Sequence, residues 1–286
     1  MPSELTLRRL LAEPGLVRAV GARDGLTARL VAAAGFDALW LSSLELSAAR
    51  ALPDMGLLTL TECVDAVRIV SEATSLPLLV DCDTGFGGAK NVARTVAQLE
   101  AAGASGMCIE DKVFPKRNSF LDSGHVLERA EEFAGRLRLA RQVRRNEEFV
   151  IVARCEAYIA GLGRDEVLRR CHLYVDGGAD AVLVHSKAST SDEVEHFLRG
   201  WGGRAPVVVV PTTYGSWTVA DAQAAGVSMA IYANQTLRAS VAATEKVLQA
   251  MFESGTADSS SVELSSVKRI FELTDVEHWD QLGALT

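Results

Sequence analysis

The apolar residues of this chain of 286 residues form short, unbroken runs that alternate with longer stretches of helical periodicity. In four places a helical stretch stops at a glycine and an apolar run begins almost at once. The glycines are Gly35, Gly103, Gly178 and Gly226, and the runs that follow them end at Trp40, Glu110, His185 and Tyr232. A glycine there predicts the left-handed residue that ends a helix. Because the runs are largely unbroken rather than alternating, they predict strands buried on both faces of a parallel sheet.

Four further apolar runs raise the number of predicted strands to eight. They span residues 16–20, 76–81, 149–154 and 206–210. Helical patterns separate the strands, for example at residues 25–34, 60–72, 91–102, 130–145, 164–175 and 237–252. Alternating β/α units in this number predict an α/β fold, the (β/α)8 or TIM barrel. The alternative is a doubly wound open sheet, which usually carries a Gly-x-Gly-x-x-Gly turn that this sequence lacks.

The chain is expected to divide into a barrel catalytic domain at residues 1–252 and a helical extension at residues 253–286. A polar stretch at 255–262 leads into a helical pattern at 263–282. This pattern places Val267, Ile270 and Phe271 at helical spacing, yet it has no place in an eight-unit barrel. We therefore expect the extension to pack on the barrel or on a partner subunit, the latter in a homo-oligomer.

Composition and charge argue against several classes of protein. Hydrophobic residues make up 48% of the chain, which is enough for a core and rules out a disordered protein. The net charge of −8, without a basic run, argues against nucleic acid and anionic membranes as partners. No apolar run approaches the ~20 residues of a membrane-spanning helix, and we expect no secretory leader. The five cysteines form no C-x-x-C pair, which predicts buried, reduced thiols in a cytoplasmic protein.

Polar and charged residues follow five of the predicted strands. In a barrel of this kind, the carboxyl ends of the strands carry the active site. The five segments are 40–43 (WLSS), 81–83 (DCD), 110–112 (EDK), 154–156 (RCE) and 185–187 (HSK). One aspartate at a strand end is usually a turn residue or a helix cap. Five such segments at one mouth of the barrel predict a catalytic centre.

Four carboxylates form the acidic part of this predicted centre: Asp54, Asp81, Asp83 and Glu110. Grouped carboxylates raise one another's pKa values unless a cation lies among them. Oxygen ligands favour Mg²⁺, or Mn²⁺ as a substitute, over zinc. Because Mg²⁺ keeps several waters, we expect one direct carboxylate ligand and the others to act through water. The alternative is that the carboxylates pair with Lys112 and Arg154.

Four cations form the basic part: Lys112, Lys116, Arg154 and His185. Together with a metal ion they would suit a phosphoryl group or a carboxylate-rich anion. The segment at 111–126 is much longer than the usual β/α loop of about two to six residues. It is polar and follows an acidic strand end, so it predicts a lid over the site, with a plain surface loop as the alternative.

Residues 110–119 read E-D-K-V-F-P-K-R-N-S, and this segment resembles the phosphoenolpyruvate mutase branch of the isocitrate lyase superfamily. Further matching segments lie at 81–87, 153–161, 185–187, 210–212 and 266–271, so the resemblance runs from about residue 16 to residue 272. It implies a (β/α)8 barrel whose last helix is swapped between subunits, usually in a tetramer built of dimers. It also implies Mg²⁺ bound directly by Asp81 and through water by Asp54, Asp83 and Glu110.

The resemblance implies the remaining roles at the site. Arg154 and His185 face the substrate, and Lys116, Asn118 and Ser119 close over it. Groups of Trp40, Ser42, Ser43 and Leu44 bind the oxyanions. The residues expected to be catalytic are therefore Asp54, Lys116, Asn118, Ser119, Arg154 and His185. Those expected to bind substrate are Trp40, Ser42, Ser43, Leu44, Asp81, Lys112, Asn118, Arg154 and His185.

The sequence departs from the family pattern at the turn after Trp40. Most members have Trp-Gly-Ser-Gly where this chain has Trp-Leu-Ser-Ser, so we expect the Ser43 side chain to narrow the anion pocket or to alter the substrate. Asp54 lies in a segment that matches the family only loosely. The lyase branch carries a Lys-Cys-Gly-His segment in its lid, whereas the lid of this chain contains no cysteine.

The expected function is a Mg²⁺-dependent mutase that interconverts phosphoenolpyruvate and 3-phosphonopyruvate, which forms the C–P bond in phosphonate biosynthesis. The alternatives are a phosphonopyruvate hydrolase, a C–C lyase acting on a small 2-hydroxy or 2-oxo acid and, more remotely, a binding module without activity. In the family, mutases have asparagine and hydrolases have threonine at the position of Asn118. This residue therefore favours the mutase.

Overall fold

The computed structural model describes residues 6–121, 124–257 and 261–284. Eight parallel strands form a closed barrel, in which each strand pairs with the next in the chain and the last pairs with the first. They are β1 (Val17–Gly21), β2 (Ala38–Leu41), β3 (Leu78–Asp81), β4 (Gly106–Glu110), β5 (Val150–Cys155), β6 (Ala181–Val184), β7 (Val207–Val209) and β8 (Met229–Tyr232). Each predicted apolar run forms one strand. The (β/α)8 barrel is therefore confirmed, and the doubly wound sheet is wrong.

Helices connect the strands and surround the barrel. They are α1 (Leu7–Ala12), α2 (Gly25–Ala33), α3 (Ser43–Ala49), α4 (Leu60–Ala73), α5 (Ala89–Ala102), α6 (Ala130–Val143), α7 (Arg164–Asp176), α8 (Asp192–Trp201), α9 (Val219–Ala224), α10 (Gln235–Ser254), α11 (Val267–Thr274) and α12 (Val276–Gly283). The six helical patterns read from the sequence all form helices. The sequence analysis had not placed α1, α3, α8 and α9, which have ten residues or fewer.

The four glycines that were expected to end helices do so in the predicted conformation. Gly35, Gly103, Gly178 and Gly226 have φ angles of 76°, 96°, 104° and 97°. These values lie in the left-handed region, which costs a residue with a Cβ atom free energy and glycine almost none. The repeated glycine therefore allows the chain to turn directly from each helix into the next strand.

Alternation along the strands determines which side chains enter the barrel. Ala38 and Trp40 of β2 pack in the inner cluster, whereas Leu39 and Leu41 pack outward against the helices. The same alternation places Leu79 of β3, Val152 of β5 and Leu183 of β6 inside. Successive side chains of a strand point to opposite faces. Two residues further along each strand, at the carboxyl end, the next inward side chain therefore lies at the mouth of the barrel.

The carboxyl-terminal part of the chain leaves the barrel. Helix α10 continues two residues beyond the predicted domain end at residue 252, and none of its residues is buried. The predicted helical tail is two helices rather than one, because Asp275 between them adopts a left-handed conformation with φ 60°. Within the chain, the tail contacts α2, where Arg29 Nη1 donates a hydrogen bond of 2.6 Å to the carbonyl oxygen of Leu273.

All five cysteines are buried and unpaired, as the sequence predicted. Among the helices of the described part of the chain, none combines the length and the apolar character needed to cross a bilayer.

Candidate active site

A cavity opens at the mouth formed by the carboxyl ends of the strands. It is lined by Trp40, Ser42, Leu44, Asp54, Asp81, Lys112, Lys116, Arg117, Asn118, Ser119, Phe120, Arg154, His185, Val210, Thr212, Ala233 and Asn234. The inward alternation explains several of these positions. Asp81 follows Leu79, Arg154 follows Val152, and His185 follows Leu183, each by two residues. The structure thus brings the polar strand ends together, as the sequence predicted.

Three of the expected site residues do not line this cavity: Ser43, Asp83 and Glu110. All three are buried directly behind its wall. The Ser43 Oγ donates a hydrogen bond of 2.9 Å to Asp81 Oδ2 and accepts one of 3.1 Å from Lys116 Nζ. The Ser43 side chain thus binds Asp81 and is not among the residues that line the cavity, and its effect on the anion pocket or the substrate stays a prediction.

Lys116 of the loop after β4 reaches back into the acidic group. Its Nζ lies 2.7 Å from Asp54 Oδ1 and 2.7 Å from Asp83 Oδ1. Burial raises the pKa of Asp83, and the positive charge of Lys116 offsets only part of this increase. For Lys116 the balance is reversed: burial would lower its pKa, but Asp83, Asp81 and Asp54 outweigh it and hold the pKa well above its usual value. Lys116 therefore remains an ammonium among these carboxylates.

Glu110 contacts both of the cations that the alternative interpretation assigned to it. Its carboxylate lies 3.7 Å from Lys112 Nζ and 3.3 Å from Arg154 Nε. Burial raises the pKa of Glu110 to about 7, although both cations act to lower it. The pairing with Lys112 and Arg154 is thus correct for Glu110, whereas Asp54 and Asp83 pair with Lys116 instead.

Glu156 lies at the centre of the basic group, and the sequence analysis did not assign it a role at the site. Its buried carboxylate lies 2.9 Å from Lys112 Nζ and 2.6 Å from His185 Nδ1, and it also pairs with Arg154. Burial would raise its pKa, but Arg154, His185 and Lys112 outweigh burial and hold the pKa well below its usual value. A permanent negative charge at Glu156 therefore holds Lys112, Arg154 and the imidazole of His185 in place.

The same network sets the protonation of Arg154, near the end of β5, and of His185, which follows β6. Burial would lower the pKa of Arg154, but Glu156 and Glu110 outweigh it and raise the pKa well above its usual value. Burial lowers the pKa of His185, an effect that Glu156 opposes. Arg154 is therefore the permanent positive charge on this side of the cavity.

The loop after β4 covers the cavity, as expected of the predicted lid. Five consecutive residues of it, 116–120, line the cavity. Asn118 Nδ2 donates a hydrogen bond of 2.7 Å to Asp54 Oδ2, and Ser119 Oγ donates one of 2.8 Å to Glu156 Oε2. Lys112 Nζ donates to Ser119 Oγ at 2.6 Å. The lid therefore contacts the acidic and the basic groups of the site, and the interpretation as a plain surface loop is wrong.

The base of the lid is fixed to the barrel through Asp111. Its carboxylate accepts hydrogen bonds from the Glu156 backbone N–H at 2.9 Å, from Arg170 Nη1 at 3.1 Å and from the Tyr174 hydroxyl at 2.5 Å. Arg170 Nη1 also donates to the carbonyl oxygen of Glu128 at 3.0 Å, where the loop ends. The two ends of the lid are therefore held by one buried network.

The acidic group offers oxygen ligands of the kind that a divalent cation prefers, and its carboxylates differ in how available they are. Among the described residues, no three His, Cys, Asp or Glu side chains are grouped closely enough to hold an ion between them. In the described part of the chain, Asp81 has no cationic partner within 4 Å, lines the cavity and is 7% exposed. Glu110 Oε1 is buried without a hydrogen-bond partner. These carboxylate oxygens match the preference of Mg²⁺ for oxygen and for retained water.

The sequence analysis also did not assign the side of the cavity formed by β7 and β8. Val210, Thr212, Ala233 and Asn234 line it, together with Arg117 and Phe120 of the lid. Thr212 and Asn234 are the first polar side chains after their strands that face the cavity. The rule that was applied to the other strand ends would have found them, but neither is charged.

Comparisons with known proteins identify the family to which this chain is similar. The family model described as "Phosphoenolpyruvate phosphomutase" matches residues 7–252. The chain is 42% identical over 275 residues to the phosphonopyruvate hydrolase of Variovorax sp. (strain Pal2), which covers 96% of this chain and 95% of that protein.

Two solved structures share both the fold and much of the sequence. The crystal structure of phosphoenolpyruvate phosphomutase from Streptomyces platensis subsp. rosaceus has a TM-score of 0.94 and 41% identity, covering 96% of each chain. That of a phosphonopyruvate hydrolase complex with oxalate and Mg²⁺ has a TM-score of 0.91 and 40% identity, covering 97% of this chain and 96% of that chain. The chain therefore belongs to the phosphoenolpyruvate phosphomutase family.

Proposed function

We propose that this enzyme is a Mg²⁺-dependent mutase that interconverts phosphoenolpyruvate and 3-phosphonopyruvate. The observation that carries the proposal is the position of Asn118, which lines the cavity from the lid and donates to Asp54. An asparagine amide offers two N–H donors on a longer arm than a threonine hydroxyl. It can therefore hold a phosphoryl group and occupy the space that a hydrolytic water would need.

In the proposed reaction, the bond between phosphorus and the enol oxygen breaks and a bond between phosphorus and carbon 3 forms. Phosphoryl transfer passes through a loose transition state with charge spread over the phosphoryl oxygens. Arg154 carries a permanent positive charge, and we assign it, with His185 and Asn118, to binding those oxygens. The groups of Trp40, Ser42 and Leu44 bind the pyruvate part of the substrate. The lid excludes water, which would otherwise capture the phosphoryl group.

Asp81 would bind Mg²⁺ directly, and Asp54, Asp83 and Glu110 would bind it through water. When bound, the ion would stabilise negative charge on the enolate oxygen. Lys116 balances part of the charge of Asp54 and Asp83. The solved hydrolase complex with oxalate and Mg²⁺ supports a divalent cation in this fold.

The second candidate function is hydrolysis of phosphonopyruvate to pyruvate and phosphate. The similarity to the Variovorax hydrolase favours hydrolysis, because the identity of 42% is slightly higher than the 41% identity to the mutase of known structure. The third candidate is a C–C lyase. The lyase branch uses a cysteine of the lid as an acid, and the lid of this chain contains no cysteine. Asn118 is the residue that favours the mutase over the hydrolase.

Phosphorus-31 NMR distinguishes these functions in one experiment. Phosphonopyruvate is incubated with the enzyme and Mg²⁺, and the products are identified by their chemical shifts. A mutase converts it to phosphoenolpyruvate with little free phosphate. If pyruvate and phosphate are the main products, the hydrolase replaces the mutase as the function, and the absence of both products leaves the lyase or a binding module.

The tail is expected to pack against a partner subunit, so that the protein forms a homo-oligomer, most simply a tetramer. Helices α10, α11 and α12 expose large apolar side chains, including Phe252 at 87%, Val267 at 66% and Trp279 at 67%. Large exposed apolar side chains, where they form a patch, typically mark a protein–protein contact. Deletion of residues 262–286 is expected to lower thermal stability and to reduce the mass measured by light scattering. A full-length protein that runs as a 30.6 kDa monomer at micromolar concentration would contradict the prediction.

A further inference from the structure

Asn234 places an unpartnered amide at the wall of the cavity. It lies two residues after the end of β8, lines the cavity and is 7% exposed. In the described part of the chain, its Oδ1 is buried without a hydrogen-bond partner. A buried amide without a partner costs free energy, so such atoms are rare in folded proteins unless a ligand or water satisfies them.

The position of Asn234 in the fold would normally give its side chain a partner. It is the N-cap residue of α10, and asparagine is among the residues preferred there because its side chain accepts a hydrogen bond from the first turn. The Asn234 side chain makes no such cap bond. The helix therefore does not use this amide, and the residue that carries it lines the cavity.

Glu45 of α3 supplies the cap instead. Its buried Oε1 accepts hydrogen bonds from the Leu237 backbone N–H at 3.3 Å and from Thr236 Oγ1 at 3.0 Å. An acidic group at a helix N-terminus is favourable both as an acceptor and through the helix dipole. Because a residue from another helix satisfies the first turn of α10, the side chain of Asn234 is free for a different role.

The order of strands around the mouth indicates which ligand group Asn234 meets. Carboxylates lie at the ends of β3 and β4, with Asp54 after α3, whereas Arg154 lies near the end of β5 and His185 follows β6. The side that follows β7 and β8 bears only neutral side chains on the cavity, including Thr212 and Asn234. In an eight-strand barrel, β8 lies across from β4 and β7 lies across from β3. This neutral side therefore faces the acidic group across the cavity.

A substrate that presents its enolate end to the carboxylates directs its other end toward the cations and the neutral side. A neutral amide N–H there can donate to an anionic oxygen without adding a charge that must be buried. Because the Oδ1 of Asn234 is buried, its Nδ2 amide group is the part of the side chain that is available to donate to a ligand.

We propose that Asn234 is a further substrate-binding residue, whose amide N–H donates to an oxygen of the phosphoryl group. The identity of this group rests on the proposed function. The contact distinguishes ligands with a phosphoryl group from those that carry only the carboxylate and enolate oxygens. Oxalate has no phosphoryl group and therefore does not make this hydrogen bond, whereas bound phosphonopyruvate does.

The test compares the wild type with Asn234→Leu, an apolar side chain of similar size. We expect kcat/KM for phosphonopyruvate to fall by about 10- to 100-fold, the loss of one hydrogen bond to a charged group. The dissociation constant of oxalate with Mg²⁺, measured by calorimetry, should change by less than about twofold, a difference too small to represent a lost hydrogen bond. The melting temperature should not fall, since an unpartnered amide is replaced by an apolar side chain.

Two control variants separate binding from folding. Asn91→Leu makes the same change at an exposed position of α5 and should leave turnover at the wild-type level. Glu45→Gln weakens the cap of α10 and should lower the melting temperature, which shows that this helix end responds to loss of its cap. Asn234→Leu could instead lower the melting temperature as Glu45→Gln does, or weaken the binding of oxalate as much as that of phosphonopyruvate. In either case the role of Asn234 is structural and the inference is overturned.

The remaining outcomes separate this inference from the proposed function. Binding of phosphonopyruvate is measured independently of turnover, as the increase in melting temperature that it causes. A wild type that binds it without isomerising it, and loses that binding in Asn234→Leu, refutes the mutase but supports the contact. A normal mutase whose kcat/KM is unchanged in Asn234→Leu overturns the contact alone, and a wild type that does not bind phosphonopyruvate overturns both.

Discussion

Replacing Asp81 with alanine is expected to abolish Mg²⁺-dependent turnover while the barrel still folds. In the described part of the chain, Asp81 is the carboxylate of the acidic group that has no cationic partner, so it is the one most available to the ion. A metal ion contributes several kcal/mol of charge stabilisation, so a loss of at least ~10³-fold in kcat is expected. Calorimetry with Mg²⁺ should show that metal binding is lost in the same variant.

Stability should follow a different course from activity. Burial is the largest cause of the raised pKa of Asp83, and the charge of Asp81 raises it further because the two carboxylates repel each other. Removal of Asp81 relieves this repulsion, so the melting temperature should stay the same or rise. Asp65→Ala, at an exposed carboxylate of α4, is the matched control and should retain both turnover and metal binding. EDTA should abolish the activity of the wild type, and added Mg²⁺ or Mn²⁺ should restore that activity. Full activity without a metal ion would refute the assignment of Asp81 as a metal ligand.

Replacing Asn118 with threonine or alanine is expected to reduce mutase turnover by at least ~10²-fold and to raise the share of free phosphate. Loss of one donor to a charged transition state costs about 3 kcal/mol in comparable sites. The Asn118 Nδ2 is the donor in question, and in this structure it binds Asp54 at 2.7 Å. The measurement is the ratio of phosphoenolpyruvate to phosphate by phosphorus-31 NMR.

The two variants differ in what they do to the lid. Asn118 Oδ1 accepts a hydrogen bond of 3.0 Å from the Phe120 backbone N–H, which is an Asx turn. The threonine hydroxyl can replace this acceptor, whereas alanine cannot. If Asn118 serves only to shape the loop, Asn118→Thr should stay close to the wild type and Asn118→Ala should raise KM without changing the product ratio. A large effect of both variants on the product ratio supports the direct role.

Much of the site followed from local sequence patterns. A parallel strand buried on both faces is recognisable as an apolar run, and a strand-end residue two positions beyond an inward side chain also points inward. Asp81, Arg154 and His185 each obey this rule, and so their convergence at the mouth was predictable. The lid was predictable as well, because segment 111–126 exceeds the length that a simple connection requires.

The partners of these residues were not predictable, because they depend on the path of the lid and on contacts between distant elements. Lys116 returns from the lid to Asp54 and Asp83, and Ser43 turns from the cavity to Asp81. Glu156 was visible in the sequence as a strand-end residue, but only the tertiary structure shows that one buried carboxylate contacts Lys112, Arg154 and His185.

The sequence by itself determined the barrel, the mouth at which its chemistry lies and the residue types available there, because strand periodicity and glycine helix ends are local properties of the chain. The tertiary structure decided which charges are paired and which are left available, since that depends on burial and on distances between elements far apart in sequence. Two features were decided by the tertiary structure in this way. Among the described residues, Asp81 has no cationic partner and the buried Oδ1 of Asn234 has no hydrogen-bond partner. Neither can be read from a pattern, because each depends on a side chain elsewhere: Lys116 pairs with the carboxylates around Asp81, and Glu45 caps the helix that Asn234 begins.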